Sequence, residues 1–378
     1  VLEALYLNGA VNLTIGLAKR WRESGATLVV RKRLSEGEEV PLPEGVHANY
    51  LTRESRSARI SLPATVVRMA RIARSADVVI VSGEIGLAPI VGYLGARIAR
   101  KPFVIAVHAD LDAALNEWMT PFLHPLLRFV HRHANGVIVV EQALSDSVER
   151  NGLSPDRVRV VTNGIDVDAI RELARQPDVF AEIPGPRVVL TGRLAHQKAT
   201  DVMLRAHAEV VRQHPHTVLV MNDGPDLDAL RALAVQLGVT DTVKFLGRTS
   251  PHPTVAHADL FCLPSRHEGL PLALLEAMAL GVPCIAADSS AGVREALDNG
   301  RAGELVPVDD VSALAAALRA HLIDPEPLRA KALIATARLA RFNQSAMADG
   351  WAEAAADFAA PARSMNRART QALRSETD

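Results

Sequence analysis

One feature constrains this chain more than any other: along nearly its whole length, short β-branched runs alternate with longer segments of helical period. Strand candidates fall at 26–30 (ATLVV), 76–82 (ADVVIVS), 102–107 (PFVIAV), 136–140 (GVIVV) and 157–161 (RVRVV). A second series follows at 187–192 (RVVLTG), 217–223 (TVLVMND), 242–247 (TVKFLG), 259–265 (DLFCLPS) and 283–288 (PCIAAD). These runs are apolar on both faces, as parallel strands covered by helices on either side are. Between them, segments such as DLDALRALAVQLG place Leu227, Leu230, Leu233 and Leu237 at helical spacing. Strand-helix alternation of this kind specifies a doubly wound α/β fold. Two series, in a chain of 378 residues, point to two Rossmann-like domains rather than one long sheet. The join is expected where Pro and acidic residues interrupt the pattern, at 177–189. The spans are therefore 1–180, 181–342, and 343–378 as a C-terminal helix packing back on the first domain. The tail from Pro361 has no core-facing stripe and is expected to fray.

With 48% hydrophobic and 22% charged residues the composition is that of a soluble globular chain, and the net charge of -1 gives no global field for nucleic acid. The balance is uneven. Residues 1–160 hold 20 Lys and Arg against 16 Asp and Glu, the remainder 22 against 27. The basic excess includes Arg31-Lys32-Arg33 and the set Arg53, Arg56, Arg59, Arg68, Arg71, Arg74. A solvated helix face explains it, and so does a surface for anionic lipid or an anionic acceptor. Cys262 and Cys284 each sit in an apolar run and read as small core residues in a reducing, cytoplasmic setting. No secretory signal is visible, and the longest apolar stretches are broken well short of the ~20 residues a membrane span needs. The chain begins at Val1 and enters an apolar run at once, so a few preceding residues are expected.

The stretch SRHEGLPLALLEAMALGVP, 265–283, puts two acids in an apolar setting, Glu268 and Glu276. A loop follows the strand, Pro271 is placed as the first residue of a helix over 271–280, and Gly281-Val-Pro283 stops it. Ligands of open α/β sheets bind at strand carboxyl ends, Gly269 permits close backbone approach, and a helix start favours an anion. Glu276, among Leu272, Leu274, Leu275 and Met278, is costly to bury unless hydrogen-bonded, and ribose hydroxyls are one remedy. Taken alone, Glu268 is equally a helix-start acid and Glu276 a solvent-facing residue.

In TGRLAHQKATD, 191–201, Arg193 and Lys198 follow a strand end, where two cations can neutralise a diphosphate without a metal. A solvated basic loop is the alternative. His108, just past another strand end, could face a site, but the chain has 13 histidines and one alone says little. Three Asp-x-Asp pairs (Asp110/Asp112, Asp166/Asp168, Asp226/Asp228) stand at helix starts and read as caps, so no essential metal is expected.

GRLAHQKATD, MNDGPDLDALRALAVQLGVTDTVKFLG, PSRHEGLPLALLEAMALGVPCIAAD and GELVPVDDVSALAAAL follow in the order and spacing of a known family. They resemble the retaining GT-B glycosyltransferases with the E-x7-E signature, the bacterial group 1 type. VVTNGID, 160–166, is similar to the segment closing the family's N-terminal domain. The resemblance covers about residues 75–320. It implies two Rossmann-like domains facing each other across a cleft, 1–180 on the acceptor side and 181–342 binding a nucleotide sugar. Arg193 and Lys198 would hold the diphosphate, Glu276 the ribose and Glu268 the transferred sugar. Gly269 and Leu270 would offer backbone N–H groups, Leu246 and Gly247 would lie near the base, and His108 would face the sugar from the opposite domain. Gly9 represents the family's glycine-rich first loop, reduced here to YLNGAVN. Asn222 and Ala199 stand where the family commonly has Gly, and Glu141 where it has Ser.

The implied activity is transfer of a hexosyl unit from a nucleoside-diphosphate sugar, uridine by family frequency, to a hydroxyl of a glycan, lipid-linked or small-molecule acceptor. Configuration would be retained and no cofactor needed. An epimerase, a phosphorylase or a silent sugar-nucleotide-binding protein are alternatives on the same architecture. NEWMTPFLHPLLRFVHRH, 116–133, puts Trp118, Phe122, Leu126 and Phe129 at helical spacing beside Arg128 and Arg132. Core packing or an acceptor groove accounts for it, or a peripheral contact with anionic lipid at the inner face of the membrane.

Overall fold

The computed structural model describes residues 1–5, 9–34, 39–52 and 58–360, with only the backbone of Gly9 and 58–61. Asn8, Arg53, Arg56 and the tail from Pro361 lie outside the described residues. The chain divides into two compact units, Val1–Thr162 with Ala346 onward, and Asn163–Ser345.

In the first unit, β1 (Leu28–Lys32) and β2 (Ala48–Thr52) pair in parallel. A four-stranded parallel sheet runs in the order β3 (Val79–Ser82), β4 (Phe103–Val107), β5 (Gly136–Val139), β6 (Val158–Val160). The extended start of the chain joins the two sheets. Leu2 N donates to Val29 O at 2.8 Å, Arg31 N to Leu2 O at 2.8 Å, and Ser82 N to Val1 O at 3.0 Å. All of β4 and β5 is buried, which matches their unbroken apolar sequence. The helices Ala58–Ala73 and Ala88–Ala99 approach closely because Gly95 has no side chain: a Cβ there would sit 2.5 Å from Met69 Cγ.

The second unit is one six-stranded parallel sheet. Its strands are β7 (Arg187–Thr191), β8 (Thr217–Met221), β9 (Val243–Gly247), β10 (Leu260–Leu263), β11 (Cys284–Ala287) and β12 (Glu304–Val306). They lie in the order β12-β11-β10-β7-β8-β9. The connections from β7 and β10 run in opposite directions across the sheet, so the carboxyl ends of these two neighbours form the topological switch point.

Nine of the ten strand candidates contain a strand trimmed at one or both ends, and the first, 26–30, is shifted to Leu28–Lys32. Two strands were not anticipated: β2, where Asn49 and Tyr50 hide the pattern, and β12, three residues long. The join expected near 180 falls instead between Thr162 and Asn163. The reason is a pairing between segments far apart in the chain: Ile165 N donates to Phe342 O at 2.8 Å and Gln344 N to Ile165 O at 3.2 Å, tying the start of 163–180 into the second unit. The helix Gln344–Ala359 buries Trp351 and Phe358 within the first unit, Phe358 against Gly136. Cys262 and Cys284 are free and buried, and burial pushes the Cys262 thiol up to about 12.

The segment 116–133 is not one helix. Leu111–Trp118 ends, Pro121–Leu123 makes a tight turn, and His124–Arg132 begins anew, as Pro121 and Pro125 require. Trp118, Phe122, Leu126 and Phe129 are exposed, Phe122 by 88%, so the core-packing reading does not hold for them, whereas Leu127 and Val130 are buried. Arg128 is engaged by Asp112 at 3.0 Å, and Arg132 donates to Asn151 O at 2.7 Å. Among the described residues no helix is long and apolar enough to cross a membrane.

Candidate functional site

The switch point is built from two loops. After β7 the chain passes Gly192 at φ 138°, makes the turn His196–Lys198, and enters the helix Thr200–Val210 through Ala199. After β10 it runs through 264–271 into the helix Leu272–Ala279. The loops are stitched together. Gln197 Nε2 donates to His267 O at 2.9 Å, and Arg266 N to Gln197 O at 2.8 Å. Lys198 Nζ lies 2.6 Å from Glu268 Oε1. Arg266 also donates to His196 O at 2.7 Å, meets both oxygens of Asp201 at 3.1 and 2.9 Å, and reaches Asp309 at 2.8 Å. Partial burial pushes the Asp201 carboxyl up, but the hydrogen bonds and charge of Arg266 outweigh it and leave the group below its usual range. A small hollow here is lined by Gly192, Lys198, Thr200, Pro264 and Ser265, and the buried Ser265 hydroxyl has no partner among the described residues.

The two cations are not equivalent. Lys198 is partly buried against Glu268, whose side chain is 7% exposed. Arg193 is exposed, with no partner among the described residues. Glu276 is half-buried, its side chain 27% exposed, and not ringed by apolar groups alone: its Oε2 lies 3.6 Å from His252 Nε2, and His252 Nδ1 is buried without a partner among the described residues. No contact joins Glu276 to Lys198 or Arg193. Pro271 corrects the expected boundary: with ψ 113° it is the cap, and the helix starts at Leu272, without a side-chain cap. Leu246 is half-buried at the end of β9, where Gly247 O accepts from Asn222 N at 2.7 Å.

Ser290 Oγ donates to Gly269 O at 2.9 Å. A trans peptide holds its carbonyl and the next N–H antiparallel, so this bond turns the Leu270 N–H the opposite way. The same hydroxyl caps the helix Ala291–Ala296, accepting from Val293 N at 3.0 Å.

In the first unit, His108 follows β4. Its Nε2 is 3.0 Å from Ser82 Oγ, its backbone N donates to Glu84 Oε2 at 3.1 Å, and its ring stacks on Trp351 with centroids 6.4 Å apart. Burial lowers the imidazole to about 4 and raises the Glu84 carboxyl, so His108 is neutral at pH 7. Gly9 opens the helix Gly9–Arg20, and the loop before it lies outside the described residues. Asp110 and Asp166 cap helices, each accepting at 3.0 Å, whereas Asp226 makes no side-chain cap. Among the described residues no three His, Cys, Asp or Glu cluster to hold a metal.

Residues 176–339 match the family model for glycosyl transferases group 1, and residues 7–169 that for glycosyltransferase family 4. The second unit is thus similar to the group 1 glycosyl transferases and the first to glycosyltransferase family 4. The fold of the chain is GT-B, two α/β units with parallel sheets. Among curated relatives, the D-inositol 3-phosphate glycosyltransferase of Nocardia farcinica is 36% identical over 220 residues, 54% of this chain and 49% of that one. A glycogen synthase of Mycobacterium tuberculosis is 30% identical over 248 residues, 63% and 58% of the two chains. The chain thus spans about half the length of these curated relatives. The solved structure of HepE from Anabaena with UDP-glucose superposes at a TM-score of 0.76 and 22% identity, covering 93% of this chain and 98% of that one.

Two of the departures from the group 1 pattern have a backbone consequence. Ala199 has φ 49° and Asn222 φ 95°, the left-handed region where Gly is at ease. Glu141 is buried. Sequence reasoning missed Arg266, Ser290 and His252, whose partners are distant in the chain. The only local signal was Ser290 before a helix start.

Proposed function

We propose that this chain transfers a hexosyl unit from a nucleoside-diphosphate sugar, a UDP-sugar in the first instance, to an acceptor hydroxyl. The anomeric configuration is retained and no metal is required. The observation that carries the reading is the stitched pair of loops at the switch point, with the Lys198–Glu268 ion pair across them and Arg193 exposed in the same loop as Lys198. Both cations stabilise the charge that develops on the departing diphosphate, helped by the uncapped helix start at Leu272 and the Leu270 N–H. Glu268 holds hydroxyls of the transferred sugar and Glu276 those of the ribose. The Leu246–Gly247 turn and Gly269 give backbone contacts to base and phosphate, and Gly9 contributes from its helix start. His108, neutral, keeps a role at the sugar. The bond from anomeric carbon to phosphate oxygen breaks, the acceptor oxygen bonds the same face, and the leaving oxygen takes the acceptor proton. The structure of HepE with UDP-glucose supports the choice of donor. Glycan, lipid-linked and small-molecule acceptors all fit the reading.

A panel of nucleotide sugars, assayed for donor consumption with and without acceptors, tests this. Arg193→Ala and Lys198→Ala should each lower turnover at least about 100-fold while hardly changing acceptor affinity. Full turnover in both variants removes the clamp. Consumption without acceptor indicates an epimerase, and dependence on free phosphate a phosphorylase.

A further inference from the structure

In the first unit the helices Ala58–Ala73, Ala88–Ala99 and His124–Arg132 carry no Asp or Glu at all. They lie side by side: Met69 packs at Gly95, and the Tyr93 and Phe129 rings meet edge to face at 6.1 Å. Their outward positions expose Val67, Leu94, Ile98, Leu126 and Phe129, with Phe122 standing out at the turn before the third helix. Of the eight large hydrophobics exposed among the described residues of this unit, only Val160 lies elsewhere than on these helices or the adjoining 118–122 segment, so the exposed apolar surface described is concentrated here. Interspersed are Arg71, Arg74, Arg97 and Arg100, all exposed and none paired with a carboxylate among the described residues.

We propose that this face docks on an anionic lipid bilayer. Exposed aliphatic and aromatic side chains need a hydrocarbon phase, and arginines without carboxylate partners need anions at its edge. A membrane of anionic lipid supplies both in one plane. A second copy of the chain does not fit, because an acid-free cationic face repels its own image. A nucleic acid would pair with the arginines but leave Val67, Leu94, Ile98 and Leu126 in water. The proposal is independent of the donor reading, since the face carries none of the residues assigned to that site and its test reads binding.

The test is co-sedimentation of the full chain with vesicles of phosphatidylcholine alone and with about a third phosphatidylglycerol. Binding to the anionic vesicles should exceed that to the neutral ones at least about tenfold, and weaken as salt rises from about 0.1 M to about 0.5 M. The double variants Ile98→Ser with Phe122→Ser, and Arg71→Glu with Arg97→Glu, should each lose about tenfold in binding while keeping their far-ultraviolet circular dichroism. Absent binding, equal binding to both vesicle types, or unchanged binding in both variants overturns the proposal. So does loss in the arginine variant alone, which would mark an acidic partner other than lipid.

Discussion

Lys198 Nζ and Glu268 Oε1 stand 2.6 Å apart across the two loops of the switch point, with the Glu268 side chain 7% and the Lys198 side chain 24% exposed. Removing one partner of a pair this enclosed strands the other charge. Lys198→Met should therefore lower stability by about 3 kcal/mol at neutral pH. The double variant Lys198→Met with Glu268→Gln should recover most of it, because no charge is then left unpaired. Urea unfolding of the four proteins reads this. A single-variant loss below about 1 kcal/mol would mean that water screens the pair.

Ser290 does two jobs with one hydroxyl, capping one helix and fixing the Gly269–Leu270 peptide. Ser290→Ala should cost about 1–2 kcal/mol of stability and raise the donor KM several-fold. Ser290→Thr, which keeps the hydroxyl, should retain both. If the Ala variant loses stability but binds donor as before, the residue is a cap and nothing more.

What the chain reveals before folding is what is local. Strands apolar on both faces, the helix stop at Gly281 and the caps of Asp110 and Asp166 are written in neighbouring residues. So is the place of Arg193, Lys198 and Glu268 in loops that follow strand ends, and of Glu276 in the helix after the second loop. The neighbours of those four are not. Arg266 grips Asp201 only because the sheet order sets β10 beside β7, and His252 meets Glu276 because the helices before and after β10 pack together; no short spacing encodes either. The division between units was misplaced for the same reason: Ile165 belongs with Gln344, far along the chain. Pro271 was misjudged by one position, since a proline is compatible both with the cap and with the first turn.

Gly224, in the loop after β8, is a position where a methyl group decides the geometry. The backbone of Leu194 lies where its Cβ would be, and Leu194 is itself bracketed by bonds with Asp223 O and Asp226 N, each 3.0 Å. Gly224→Ala must displace backbone, not a flexible side chain. It should destabilise the second unit by about 2–4 kcal/mol and disturb the loop that carries Arg193. Ala199→Val should have a comparable cost, since a β-branched residue would enter a fully buried left-handed position. Chemical denaturation checks both, and a soluble Gly224→Ala protein with unchanged stability would show that the two loops do not depend on each other.

A buried histidine pair in the second unit, His207 and His216, bears on how stability should respond to acid. His216 Nδ1 lies 2.7 Å from His214 O, which can only accept, so that nitrogen donates and His216 Nε2 is left to accept from His207 Nδ1 at 2.8 Å. His207 Nε2 then accepts from Thr242 Oγ1 at 2.8 Å. Burial, and secondarily the neighbouring His216, lower His207 from 6.5 to about 3. His131, buried in the first unit, is lowered to about 4 by burial, only partly offset by its bond to Glu84 O. With folded pKa values below the unfolded ones, the unfolded chain binds more protons between these limits. The stabilisation is complete above about pH 6.5 and is lost as pH falls, by up to about 1.4 kcal/mol per pH unit for each histidine. Glu84, raised by burial, acts in the opposite sense and is relieved by acid, so the total slope cannot assign the effect to one residue. A variant can. His207→Gln should be less stable than the natural chain at about pH 7.5, yet lose less stability on acidification, by close to one proton's worth of slope. Urea midpoints across a pH series measure that slope, and parallel curves for the two proteins would mean that His207 is protonated in the folded state at little cost.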